Sequence, residues 1–365
     1  MNRPHHNGNM HRHDAVRHHT TLEGATMKKA TVEDVARAAG VSTFTVSRAL
    51  RDMQHVAPAT KEKVLKAAEE LQYTASKSAA ALASGQTSRI ALLCRERIAG
   101  WFMGELMDGL YDVLSPLSYD ITVYRAGDTR QRKQFFTRLP ANSNADAIIL
   151  TGFSVTEQEQ SALTDMGMPI VLVNSKDTGF SQGSVAVDDE DGEASAVRYL
   201  AALGHHRFCY VGRVDPLTSK TWGFDVRIRG YQNVIEDLGL IDCGAFHIDS
   251  DTPRSSRQAV ASILSLPQRP TAICVWSDFH ALSIVHELTK AGIRIPQDMS
   301  VIGFDGSDIS AATGLSTIAQ PARDIGRIAA KKALHLIAGE DLDEAHTTVP
   351  TTLEPRETTG PIRKA

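Results

Sequence analysis

Nowhere in this chain of 365 residues is there a run of roughly twenty apolar residues, so no membrane-spanning helix is expected. Its first residues are polar and rich in histidine, with no apolar leader segment, which points to a protein that stays in the cytoplasm. Only four cysteines occur, and none is spaced as Cys-x-x-Cys. Neither a zinc site nor a disulfide framework is therefore expected. Cys94, Cys209 and Cys274 fall inside apolar runs, whereas Cys243 reads as a loop residue. The phosphate-cradling spacings Gly-x-Gly-x-x-Gly after a strand and Gly-x-x-x-x-Gly-Lys are missing, as is a Gly-x-Ser-x-Gly elbow. Asp188-Asp189-Glu190-Asp191-Gly192 looks like part of a calcium loop, but the first and twelfth ligands would be Val187 and Arg198, and it fails. No cofactor, no metal and no enzymatic activity are expected.

What is present begins with charge. The net charge is −4, which suits a nucleic-acid binder poorly until it is divided along the chain. Residues 28–89 hold ten Lys or Arg against six Asp or Glu, and residues 1–27 three against two. The remainder must carry 26 against 35. A basic head on an acidic body is the asymmetry of a chain whose head alone meets phosphates.

The head has its own grammar. Thr31 can cap a helix over Val32–Ala39, with Glu33 and Asp34 in the positive first turn. Val32, Val35, Ala36 and Ala39 form its apolar stripe, and Gly40 permits a sharp turn. A second helix enters through Ser42 and runs to Leu50. Val46, Ala49 and Leu50 face inward, leaving Thr43, Phe44, Ser47 and Arg48 outside. Helix, glycine turn and helix in some twenty residues is the helix-turn-helix plan. Pro58 opens a third helix in whose first turn its missing N–H costs nothing, and Val64, Leu65, Ala68 and Leu71 close a three-helix unit. Residues 75–85 have helix propensity and little apolar surface, and the segment is too short to be a stable helix alone. It reads as a helix that forms only beside a partner, or as a plain linker. Ahead of all this, residues 1–27 hold six of the fourteen histidines without periodicity. They read as a disordered tail or an over-long start, with Met27 the initiator.

From Ser88 the period changes. Apolar runs at Ile90–Cys94, Ile121–Tyr124, Ala147–Leu150, Ile170–Val173, Val185–Val187, Phe208–Val211, Ala272–Trp276 and Val301–Phe304 read as strands. Helical patterns lie between them: Met103–Leu117, Glu190–Leu203, Val226–Leu238, Phe279–Ala291 and Arg323–Ile337. Alternation over this length predicts an α/β body of parallel sheets covered on both faces, in two lobes. Ligands bind beyond the carboxyl ends of such strands, here between the lobes.

Several stretches together resemble the LacI/GalR family of bacterial transcription regulators. They are Ala30-Thr31-Val32-Glu33-Asp34-Val35-Ala36, Val46-Ser47-Arg48-Ala49-Leu50, Leu82 with Ser84-Gly85-Gln86-Thr87, Leu203-Gly204-His205, Arg229-Gly230-Tyr231, the run from Ile295 to Asp305, and Leu315-Ser316-Thr317-Ile318. The resemblance covers residues 28 to about 340. It implies a helix-turn-helix head at 28–74, a hinge helix and linker at 75–87, and a two-lobed periplasmic-binding-protein-like body at 88–365. The first lobe is expected at about 88–202 plus 320–340, and the second at about 203–319 plus the C-terminal segment. The family implies base contacts from Thr43, Phe44 and Arg48, the last suited to guanine O6 and N7. It implies backbone contacts from Thr31, Ser42, Thr45, Ser47 and His55, and minor-groove contact from Ala79 and Leu82. Phe44 departs from the polar residue commoner there, and Ala75-Ser76 and Ala80 depart from the usual hinge residues. In the body, Arg227 and Asp305 are the expected effector contacts, with Trp101, Phe102, Asp191 and Trp222 beside them. Asp278 is either a contact or a helix cap. A sequence-specific DNA-binding regulator follows, most simply a homodimer or tetramer that represses sugar-utilisation genes and lets go of its operator when a small carbohydrate binds; corepression is the alternative. A transport-type sugar receptor would share the body, but the basic head and the lack of an apolar leader count against it.

Overall fold

The computed structural model describes residues 30–50, 56–73, 86–95, 97–138, 144–152, 155–175, 177–213, 224–248 and 253–362. His55, Ala79, Leu82, Trp222 and the segment read as a hinge helix lie outside the described residues. The chain divides into two compact units, a small N-terminal one and the body from Ala81 onward.

The N-terminal unit consists of α1 (Val32–Ala39), α2 (Thr43–Leu50) and α3 (Pro58–Glu70). A capping box opens α1. Thr31 Oγ1 accepts from the Asp34 backbone N–H at 3.4 Å, and Asp34 Oδ2 accepts from the Thr31 N–H at 3.0 Å. Gly40, at φ +68°, ends it in the left-handed conformation. Val35, Val46 and Val64, one from each helix, are fully buried and form the centre of the small core.

In the body, β1 (Arg89–Cys94), β2 (Asp120–Arg125), β3 (Ala147–Thr151), β4 (Ile170–Val173) and β5 (Gly183–Val187) alternate with α4 (Trp101–Leu114), α5 (Thr129–Arg138) and α6 (Glu157–Thr164). Next come α7 (Asp189–Ala202), β6 (Arg207–Arg213), α8 (Phe224–Asp237), β7 (Ile241–Ile248), α9 (Pro253–Leu264), β8 (Ala272–Val275), α10 (Asp278–Lys290) and β9 (Ser300–Asp305). The chain closes with α11 (Asp308–Ala312), β10 (Ser316–Ala319), α12 (Ala322–Ile337), β11 (His346–Val349) and β12 (Thr352–Glu354). The strands build two six-stranded sheets, ordered β11-β5-β4-β3-β1-β2 and β12-β10-β9-β8-β6-β7. All pairings are parallel except β10 with β12. Each sheet is apolar on both faces, as the unbroken runs of Val, Ile and Leu require of a buried parallel sheet.

The lobes are divided differently from the sequence expectation. Helix α7 sends Ala194, Ala196, Val197 and Leu200 into the core of the second sheet, beside Phe208, Tyr210 and Tyr231. The first crossing therefore falls near residue 188 and not near 202. Periodicity reveals an apolar helix face but not which sheet it covers. After α12, β11 returns to the first sheet beside β5 before β12 joins the second, so the C-terminal segment serves both lobes. Cys243 also departs from expectation, lying within edge strand β7.

The chain crosses between lobes at 188–189, at 320–321 and at 350–351. The first and third crossings are tied together by the Asp188 N–H, which donates to the Val349 carbonyl at 2.9 Å. Where the body begins, Asp146 accepts from the backbone N–H groups of Thr87 and Ser88 at 2.6 and 2.8 Å. The incoming chain is thus clamped to the first lobe.

Candidate functional site

Two surfaces carry the expected chemistry. On α2, Val46 and Ala49 are buried, while Thr43 is exposed and Phe44 is 68% exposed. The Phe44 ring thus stands open to water on the side of α2 opposite the core. The Arg48 guanidinium lies 5.5 Å from the Phe44 ring centroid, so the aromatic face steadies the cation one turn away. Ser42 Oγ accepts from the Thr45 N–H at 3.1 Å and lies 2.9 Å from Thr45 Oγ1. Ser42 and Thr45 thus order the first turn, and Ser47 sits half-buried beside Arg48. Thr31 is engaged in its own capping box.

In the body, a cleft of about 670 Å3 opens between the lobes. Arg97, Trp101, Phe102, Thr151 and Asn174 line it from the first lobe, and Asp189, Arg213, Arg227, Trp276, Phe279, Asp305 and Gln320 from the second. Asp189 and Gln320 stand on two of the three crossings, so the floor of the cleft is made by the hinge itself. Arg227 is buried at the centre. Its Nε donates to Asp189 Oδ1 at 2.7 Å, its Nη1 donates to the Trp276 carbonyl, and its guanidinium carbon lies 3.6 Å from the centroid of the Phe304 ring. A guanidinium fixed on three sides keeps its remaining N–H groups in a set direction.

Asp305 ends β9 at φ +141°, a backbone conformation rare outside glycine, followed by Gly306 at φ +75°. A Cβ at residue 306 would approach the Ala319 Cβ to 2.4 Å, so this turn requires glycine. Gln320 Nε2 donates to Asp305 Oδ1 at 2.8 Å. Burial pushes the Asp305 carboxyl up to about 8; Arg227 opposes the shift and Asp278 adds to it.

Of the expected effector contacts, Trp101, Phe102, Arg227 and Asp305 are brought together in the cleft. Two others are not. Asp278 is 1% exposed, and both its oxygens serve the second lobe. Oδ2 accepts from the Ser307 N–H and hydroxyl, each at 2.8 Å, and Oδ1 accepts from Thr317 Oγ1 at 2.6 Å. It fixes the turn after β9, while the N-cap of α10 is Ser277. Asp191 is exposed and pairs with Arg198 at 3.3 Å, away from the cleft. The residue of that acidic run which enters the site is Asp189. Its signal was available: residues four apart share a helix face, and Asp189 is in phase with Glu193, Ala196, Val197 and Leu200. Arg97, Asn174, Arg213, Trp276 and Gln320 also line the cleft without having been singled out.

Comparison with known proteins finds matches for both parts of the chain. Residues 31–76 match the model for bacterial regulatory proteins of the lacI family, and residues 197–359 match the periplasmic binding protein-like domain. The transcriptional repressor PurR of Aliivibrio fischeri (strain MJ11) is 30% identical over 319 residues, covering 86% of this chain and 93% of PurR. The chain belongs to the LacI family. Catabolite control protein A of Priestia megaterium is 29% identical over 334 residues, 90% of this chain and 99% of that protein. Among solved structures, a lac repressor dimer bound to operator and an anti-inducer is 25% identical, with a TM-score of 0.79 over 91% of this chain and 100% of that one. Membership makes the chain a DNA-binding transcription regulator, and its relatives are regulators and not enzymes. Among the described residues no helix is long and apolar enough to cross a membrane.

Proposed function

We propose that this LacI-family member is a repressor whose operator affinity is set by a small carbohydrate effector held between the lobes. The observation that carries the reading is the position of the cleft floor: Asp189 and Gln320 lie on the inter-lobe crossings and are tied to Arg227 and Asp305. A ligand seated there touches both lobes and the hinge, so it can favour one lobe arrangement over another, as gating requires. Asp305 and Arg227 offer acceptors and donors suited to sugar hydroxyls, and Trp101 offers a ring for a sugar's C–H face. On α2, Arg48 and Phe44 read bases, with Thr43 beside them; Thr31, Ser42, Thr45, Ser47 and His55 hold phosphates, and Leu82 with Ala79 enters the minor groove of a kinked step. A homodimer reading a pseudo-palindrome follows from one head's small footprint, and the protein acts where the chromosome is.

The test is a thermal-shift screen of the full-length chain against mono- and disaccharides and their acids. It is followed by gel-shift titration on the operator selected from the cell's own promoter DNA. An effector that raises thermal stability and releases the operator supports the proposal. One that tightens operator binding makes the protein a corepressor-dependent regulator, and a ligand without effect on DNA binding overturns the gating claim.

A further inference from the structure

We infer that the effector carries an anionic group, a carboxylate or a phosphate, and that Arg97 and Arg213 are the residues that select it. The inference deepens the effector reading above and rests on it.

Both residues line the cleft, Arg97 from the loop ahead of α4 in the first lobe and Arg213 from the carboxyl end of β6 in the second. With Arg227 they bring three guanidinium groups to one ligand-sized space. Three carboxyls stand against them, those of Asp189, Asp305 and Asp308. Asp189 is committed to Arg227, whose Nε donates to it at 2.7 Å. Asp305 is a poor counter-ion, because its Oδ1 accepts from the Gln320 amide at 2.8 Å and burial pushes its carboxyl up to about 8. Asp308 is exposed at the start of α11, where water screens its charge. The cleft wall is therefore richer in cations than in anions that could answer them.

Two of these cations share one ring. The guanidinium carbons of Arg213 and Arg227 lie 5.8 and 5.9 Å from the centroid of the Trp276 ring. Trp276 is itself held: its indole N–H donates to His280 Nδ1 at 3.1 Å, and its carbonyl accepts from Arg227. The ring steadies the Arg213 charge beside that of Arg227. Like charges gathered in this way repel, and an anion set among them relieves the repulsion. A guanidinium fork also matches the oxygens of a carboxylate or a phosphate two at a time. Sugar hydroxyls need none of this, since Asp305 and the remaining N–H groups of Arg227 serve them. Because Arg97 and Arg213 belong to different lobes, an anion gripped by both favours the arrangement that brings the lobes together.

The test is calorimetric titration of the full-length protein with matched sets of carbohydrates: neutral mono- and disaccharides, the corresponding sugar acids, and the corresponding sugar phosphates. In one set an acid or a phosphate should bind at least about tenfold more tightly than its neutral counterpart, and the two arms separate carboxylate from phosphate. Arg97→Gln and Arg213→Gln should each remove most of that advantage while leaving affinity for the neutral counterpart within about twofold. Arg213→Lys, which keeps the charge and loses the fork, should retain part of it. Arg97 is exposed, so its variant decides should Arg213→Gln fail to fold. Neutral sugars that bind as tightly as their anionic counterparts, or an anion preference that survives both substitutions, would overturn this inference and leave the effector reading standing. Binding of no carbohydrate of either charge would remove the effector reading and this inference with it.

Discussion

Asp305 holds a conformation that costs free energy, in a place where a carboxylate also loses its water. Strain of this kind amounts to about 1–3 kcal/mol and persists only where surroundings enforce it; here Gly306, Gln320 and the Ser307 turn do so. Because burial raises this carboxyl toward about 8, its contribution to stability is complete below the ordinary aspartate range and lost as pH rises toward 8. Asp305→Asn should accordingly be more stable relative to wild type at pH about 8 than at pH about 5, as denaturant melts would measure. A difference independent of pH would mean that Asp305 keeps its charge throughout. If α2 reads bases as proposed, Arg48→Ala should cost about 1–3 kcal/mol of operator affinity and relax preference at one base pair per half-site. Selection on randomised half-sites measures both, and undiminished selectivity would remove Arg48 from the base-reading set. Phe44→Ala should weaken binding where a thymine methyl faces the ring, since phenylalanine has no hydrogen bond to give.

Helix contacts set the next scale. Helices α4 and α12 cross at a pair of glycines. A Cβ on Gly109 would lie 1.9 Å from the Arg323 carbonyl oxygen, and one on Gly326 would lie 2.3 Å from that of Leu106. Asp112 on α4 accepts from Arg323 and Arg327 on α12 at 2.7–2.9 Å, and these two guanidinium groups hold its carboxyl down at about 2. In the second lobe, a Cβ on Gly230 of α8 would lie 2.1 Å from the Glu190 carbonyl oxygen of α7. Gly109→Val should therefore destabilise the protein by roughly 1–3 kcal/mol or more through backbone displacement, read as a lower denaturation midpoint at unchanged slope. An unchanged midpoint would show that α4 can slide without cost.

Much of this level is legible in sequence. The capping box at Thr31, the left-handed turn at Gly40 and the early proline at Pro58 fix α1 to α3 because each cap is a local hydrogen-bonding or dihedral requirement. Strands β1, β3, β4 and β8 read directly as continuous apolar runs. Strand β10 did not, because its Ser316 and Thr317 are buried hydroxyls whose partners, Thr359 and Asp278, lie 43 and 39 residues away. Edge strand β7 alternates exposed and half-buried residues and looks like loop. Asp278 illustrates the limit for the site: a carboxylate at a strand's carboxyl end suits a ligand or the next turn equally well, and only tertiary contacts decide. In the run from Asp188 to Asp191, helix phase separates cap, cleft and solvent, yet four acids in a row conceal it.

At the scale of the molecule, two sheets joined by three crossings form a hinge with a ligand-sized cleft above it, and the incoming chain is clamped to the first lobe through Asp146. Coupling between such a cleft and a DNA-binding head is usually worth about 1–3 kcal/mol, or 5–150-fold in affinity. The measurement that tests this most directly is operator titration of wild type and Asp305→Ala with the effector found by screening. Wild type should release its operator at effector concentrations that leave Asp305→Ala bound, while both proteins bind operator equally without effector. Release of Asp305→Ala at the wild-type effector concentration would contradict the account.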